Sequence, residues 1–145
     1  MLIVVGCGRT KAAGACPAAD LYTGCLFRAA RQYVEAQGAP WAILSALHGL
    51  IWPLARIAPY DLSMHERLRQ PPVELARYQA DVRAQLGLAL AITGATRIEV
   101  HAGLPYVELL RSLSPVPVSS PLAGLSIGRR LNWYAQQEGV AHVSI

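Results

Sequence analysis

Apolar residues along this chain come in short blocks that alternate between two rhythms. Leu2 to Val5 form an unbroken, largely β-branched run that Gly6 stops, the mark of a strand buried on both faces. From Tyr22 to Gln37 the spacing turns helical: Leu21, Phe27, Ala30, Tyr33 and Val34 recur on one side, Asp20 stands at the N-cap, and Gly38 supplies a stop. Trp41 to Ala46 return to a strand. The stretch LHGLIWPLARIAPYDLS that follows is broken by glycine and proline and reads as irregular; so long a loop in a small domain as a rule carries function.

Pro71 and Pro72 open a long helix that runs to Gly94, with Leu75, Tyr78, Val82, Leu86 and Leu90 as its apolar stripe. Arg97 to His101 predict a third strand, Leu104 to Leu113 a short helix and Val116 to Val118 a fourth strand. Ser126 to Gln137 predict a last helix, and AHVSI at the end an edge strand. Strands alternating with helices predict an α/β fold: a three-layer α/β/α sandwich around a short, mostly parallel four-stranded sheet, one domain over residues 1–145. In such sheets ligands sit beyond the carboxyl ends of the strands, where the strand order reverses. The segments that follow the four strands are GCGRTK, SALHGLIWPLARIAPYD, HAGLPY and SSPLAGLSIGRR, so the polar and glycine-rich stretches converge on one rim.

Composition adds a sign to that rim. The formal charge is +4 with 13 basic residues, of which Lys11 is the only lysine. Arginine grips phosphate in a bidentate way, which favours an acidic ligand or nucleic acid as partner. No apolar run approaches the roughly 20 residues that span a bilayer, and the apolar start meets GCGRTK rather than a small-residue cleavage site. A cytoplasmic protein without membrane contact is expected. Cys7, Cys16 and Cys25 lack the spacing of metal pairs and read as reduced thiols, and His65, His101 and His142 show no metal-ligand pattern. Neither a metal nor another cofactor is expected.

The candidate chemistry lies in the rim segments. GCGRTK is not a Walker loop, but Gly6 and Gly8 let backbone N–H groups approach an anion, with Cys7 beside them and Arg9 and Lys11 adding charge. Asp20 reads first as a helix cap and second as a reserve carboxylate; Tyr22 and Arg28 can line the cleft, one stacking and one gripping phosphate. His48, just past the second strand, can hydrogen-bond a leaving group, or serve only structure. In APYD, Pro59 stiffens the backbone, Tyr60 offers a flat ring, and Asp61 is a carboxylate able to stabilise a cation or orient water, or else to cap the helix near Ser63. Arg129 and Arg130 stand in the first turn of the last helix, where anions bind, with one of the pair facing solvent.

GCGRTK, DLYTG with LFR, SALHGL, APYD and PLAGLSIGRRLNW, in that order over nearly the whole chain, resemble a bacterial family known only as a domain of unknown function. That family commonly has serine at the position of Gly6 and lysine near Arg9 and Leu47, so this chain is a divergent member. The family is distantly similar to the peroxide-stress protein YaaA, to a domain of archaeosine synthase and to the uracil-DNA glycosylase fold, and antiphage glycosylases that excise glucosylated cytosines look like relatives. Ser119-Ser120-Pro121-Leu122 is similar to the late His-Pro-Ser-Pro-Leu loop of uracil glycosylases, but Val118 takes the histidine position and the first-strand loop lacks Gln-Asp-Pro-Tyr-His. Their catalytic residues do not carry over.

The resemblance implies a DNA glycosylase acting on a modified base, plausibly in antiphage defence. Asp61 would then stand near the sugar with Asp20 in reserve, and His48 would donate to the base. Tyr60, Tyr22, Cys7, Gly8 and Ser119 would hold the base, with Arg9, Lys11, Arg28, Arg129 and Arg130 on the phosphates. Two alternatives stand beside it: a non-catalytic module for nucleic acid or nucleotides, and a nucleoside hydrolase or deoxyribosyltransferase.

Overall fold

A computed structural model describes the backbone of residues 1–143 and the side chains of residues 1–137. Its centre is a five-stranded sheet in the order β4-β3-β1-β6-β7, formed by β1 (Leu2–Gly6), β3 (Trp41–Ser45), β4 (Gly49–Ile51), β6 (Ile98–His101) and β7 (Val118–Ser119). β1 pairs in parallel with β3 and with β6, and β6 in parallel with β7; only β4 runs antiparallel, against β3. Because β3 lies on one side of β1 and β6 on the other, the strand order reverses at β1.

Alternation along β1 divides the core. Leu2 and Val4 pack with the inner faces of α3 (Met64–Leu68), α4 (Pro72–Thr93) and α5 (Leu104–Leu113). Ile3 and Val5 face α1 (Ala18–Leu21), α2 (Cys25–Gln37) and α6 (Ile127–Val143). Helices therefore cover both faces of the sheet, as parallel strands require. Tyr78, Val82, Leu86 and Leu90 of the expected stripe are buried. Gly38 ends α2 in a left-handed conformation (φ 73°), the stop expected of it.

Five expectations are corrected. The sheet has five strands, not four, because the segment read as irregular folds back: Gly49 takes a left-handed turn (φ 74°), and Leu50 and Ile51 pair with Leu44 and Ile43. Gln85 of α4 holds this edge, accepting from the Leu50 N–H at 2.7 Å and donating to the His48 carbonyl at 3.1 Å. The first long helix starts at Cys25 with Gly24 as its N-cap, not at Tyr22. Tyr22 is extended and bridged to Lys11, while Asp20 lies in the one-turn α1 and pairs with Arg31 at 2.7 Å instead of capping.

The fourth parallel strand is Val118–Ser119 rather than Val116–Val118, since Pro117 has no N–H to give and accepts from Ile98 instead. Finally, Ala141–Val143 continue α6 rather than forming an edge strand, and the last two residues of that expected strand lie outside the described residues. A small ribbon between β2 (Cys16–Pro17) and β5 (Arg56–Ile57) ties the connection after β1 to the one after β4. Among the described residues no helix is long and apolar enough to cross a membrane.

Candidate functional site

Two adjoining hollows open at the carboxyl ends of the strands. The narrower, about 310 Å³, lies at the β1/β6 switch point between Gly6, Cys7 and Gly8 on one side and His101, Ala102 and Gly103 on the other, with Phe27, Tyr106, Arg130 and Tyr134 closing it. The wider, about 540 Å³, is walled by Arg9, Lys11, Asp61, His65 and Glu66, and shares Cys7, Gly8 and Tyr106 with the first. Segments following β1, β5, β6 and β7 thus converge as the alternation of elements implied.

Gly6 is required by close approach. A Cβ there would stand 2.7 Å from the Ala102 Cβ and 3.0 Å from the Tyr106 ring, so β1 can meet β6 and α5 only without a side chain. Tyr106 then reaches over the loop, its hydroxyl donating to the Cys7 carbonyl at 3.1 Å and standing 3.5 Å from Cys7 Sγ; burial pushes its pKa up.

Lys11 is placed by backbone pairing. Ala12 N–H donates to the Leu21 carbonyl at 2.8 Å and Thr23 N–H to the Thr10 carbonyl at 3.0 Å, folding the loop so that Lys11 Nζ lies 4.5 Å from the centre of the Tyr60 ring. Such a contact adds about 0.5–1 kcal/mol when partly exposed and holds the cation at the rim. Beneath it, the Ser45 Oγ accepts from the N–H groups of Leu47 (3.2 Å) and His48 (3.1 Å). Both its lone pairs being engaged, it donates its own hydrogen to Tyr60 Oη at 2.7 Å, and Tyr60 in turn donates to Tyr22 Oη at 2.7 Å. Burial raises the Tyr60 pKa and pushes that of Tyr22 up to about 12, so both hydroxyls stay protonated.

Asp61 follows Tyr60 and leads into α3. The cap of that helix is Ser63, whose side chain accepts from the Glu66 N–H at 3.0 Å in a capping box, so Asp61 is not the cap. Its carboxylate has no hydrogen bond or ion pair among the described residues and stands in the same hollow as Arg9 and Lys11.

The structure therefore brings Cys7, Gly8, Arg9, Lys11 and Asp61 to the wider hollow, and Arg130 to the narrower one beside Cys7 and Gly8. Others stand apart. Asp20 is held by Arg31 outside both hollows, and Arg28 and Arg129 are exposed and line neither. Tyr22, 2% exposed, is spent in the core against Phe27 and Tyr60 and has no free face for stacking. His48 lies edge-on to Tyr60 at 5.6 Å with its pKa lowered by burial, and neither it nor Ser119 lines a hollow.

Sequence reasoning assigned no chemical role to Glu99, His101, Tyr106 or Tyr134, although His101 and Tyr106 bound the HAGLPY segment of the rim. His101 accepts or donates at Nδ1 to Tyr134 Oη (2.9 Å) and at Nε2 to Glu99 (2.9 Å), and burial lowers its pKa against the pull of Glu99. A histidine as the last residue of a buried strand was the available signal. No curated protein and no solved structure matches the chain. Residues 2–136 match the family of unknown function DUF6884, and the chain belongs to it.

Proposed function

We propose that the protein is a DNA glycosylase that hydrolyses the N-glycosidic bond of a modified base. One observation carries this reading: Asp61, a carboxylate without a partner among the described residues, shares a hollow with the cations Arg9 and Lys11, and that hollow adjoins a narrow, aromatic cavity at the β1/β6 switch point. Breaking the C1′–N bond builds positive charge on the sugar and negative charge on the base. A flipped base would enter the narrow cavity, the flanking phosphates would meet Arg9, Lys11 and Arg130, and Asp61 would face the sugar. Water adds to C1′ as the base departs with a proton, and the Asp61 carboxylate stabilises the cation and orients that water. The two hollows share Cys7, Gly8 and Tyr106 as a common wall, so a bulky substituent on a base held in the narrow one would lie beside the wider one. The likeness of the motifs to the uracil-DNA glycosylase fold and to antiphage glycosylases supports the same reading, with defence against modified phage genomes as its setting.

A binding module would use the same cations and has no task for Asp61. The protein should be incubated with unmodified and hypermodified DNAs and the released small molecules identified by mass. Free base from modified DNA alone, with an alkali-labile abasic site left behind, is the expected result. No base from any DNA would overturn the reading, and hydrolysis of free nucleosides without regard to polymer length would move it to nucleoside hydrolysis.

A further inference from the structure

The end of β6 carries polar side chains that this hydrolysis leaves unused. His101 is 2% exposed, yet both ring nitrogens are bonded: Nε2 to Glu99 Oε2 and Nδ1 to Tyr134 Oη, each at 2.9 Å. The ring is held in place by aromatic neighbours, with Tyr134 stacked at 5.8 Å and an interplanar angle of 28°, and Tyr33 and Trp133 at 5.2 and 5.9 Å. So constrained an imidazole cannot turn to exchange its partners.

Counting donors fixes the direction of each bond. An ionised carboxylate only accepts, so Nε2 carries the hydrogen shared with Glu99. Burial disfavours the imidazolium, which leaves Nδ1 as a bare acceptor. The bond at Nδ1 is therefore a Tyr134 O–H donating to His101. Once that hydrogen is committed, the Tyr134 oxygen offers lone pairs alone. Tyr134, His101 and Arg130 all line the 310 Å³ cavity, and the charge of Arg130 acts on the Tyr134 hydroxyl, opposing the rise in its pKa that burial causes.

We propose that Glu99 and His101 hold the Tyr134 hydroxyl as an obligate acceptor in the wall of this cavity, so that the base taken up there presents an exocyclic amine to it. The inference rests on the reading of the cavity as a base pocket and narrows its substrate class. A carbonyl oxygen placed against Tyr134 would meet lone pair with lone pair and forfeit a buried hydrogen bond. An imide N–H lies between two carbonyls that would bring the same conflict, whereas an amine projects beyond the ring and meets the acceptor first. Tyr134 is thus the specificity-determining residue, and Glu99 and His101 are positioning residues.

The test is a set of calorimetric titrations of the full chain with deoxynucleosides. 2′-Deoxycytidine is compared with 2-pyrimidinone deoxyriboside, and 2′-deoxyadenosine with purine deoxyriboside; each analogue keeps the ring and loses only the amine. Thymidine is the imide control. In the wild type each amino nucleoside should bind about tenfold or more tightly than its analogue and than thymidine. Tyr134→Phe keeps the ring and should erase the difference. Glu99→Gln replaces an obligate acceptor by a group that can also donate, makes both His101 tautomers accessible, and should shrink the difference without loss of folded circular dichroism. Equal affinities within both pairs, a preference that survives Tyr134→Phe, tighter binding of thymidine, or no saturable binding of any nucleoside would overturn the proposal. These titrations read affinity and not base release. Lost preference with base release intact sinks only the Tyr134 assignment; preference without base release from any DNA sinks the hydrolysis and leaves that assignment standing.

Discussion

Tyr60 Oη stands 2.7 Å from Ser45 Oγ, and this bond fastens the rim loop to the last residue of β3. Tyr60→Phe removes it and leaves the Tyr22 hydroxyl, 2% exposed, without its partner. The expected cost is about 1–3 kcal/mol, read from urea unfolding. The ring under Lys11 remains, so DNA affinity should change far less than stability does. Tyr60→Leu, which removes the ring as well, should weaken both.

Asp61 is exposed and unpaired among the described residues, and a neutral isostere should not disturb the fold. Asp61→Asn is expected to lower base release by about a hundredfold or more while DNA binding stays within about twofold. Single-turnover release from modified DNA, beside a gel-shift titration, measures the two separately. Normal turnover by this variant would remove Asp61 from the reaction.

Gly6→Ser introduces a Cβ 2.7 Å from that of Ala102, which has no flexible end to move away. Overpacking of this kind costs about 1–3 kcal/mol and would press on the wall of the narrow cavity. Pairing it with Ala102→Gly should recover part of the loss in thermal unfolding. Additive effects of the two changes would show that the Gly6–Ala102 approach is not what limits the position.

The buried His101 makes stability depend on pH in a stated direction. Its folded pKa lies below the ordinary value of 6.5, so in the window between the two the unfolded chain binds a proton that the folded one refuses. Stability from this group is full above pH 6.5, falls as the pH drops from there toward the folded value, and is flat below it. His101→Gln should remove that slope from a series of chemical unfolding curves, and an identical slope in wild type and variant would contradict it.

The periodic segments were legible in the sequence. Leu2–Val5, the stripe of α4 and the helix Leu104–Leu113 come from local patterns that tertiary packing only reinforces. The strand at Gly49–Ile51 was hidden because its three residues end at Trp52 and Pro53, and its partner lies across a turn that Ser45 organises by hydrogen bonds. Asp20 and Tyr22 were misjudged for a related reason. A capping residue near a helical rhythm is a local signal, but the backbone bridge between Lys11 and Tyr22 is not visible in any window of sequence. Of the site, the glycine loop, Lys11, Asp61 and Arg130 announced themselves by residue type; the Glu99–His101–Tyr134 chain depends on Tyr134 of α6, 33 residues beyond His101, and needed coordinates.

Leu2 to Val5 are 0–1% exposed, with a strand on either side and helices above and below. Amide protons in such a position exchange with solvent only when the molecule opens as a whole. The loop at its tip hangs from the least yielding part of the protein, so any accommodation to an incoming molecule must be made by the Tyr60–Ser63 approach and the first turn of α6. Deuterium uptake should slow in those two segments on ligand binding and stay unchanged along β1.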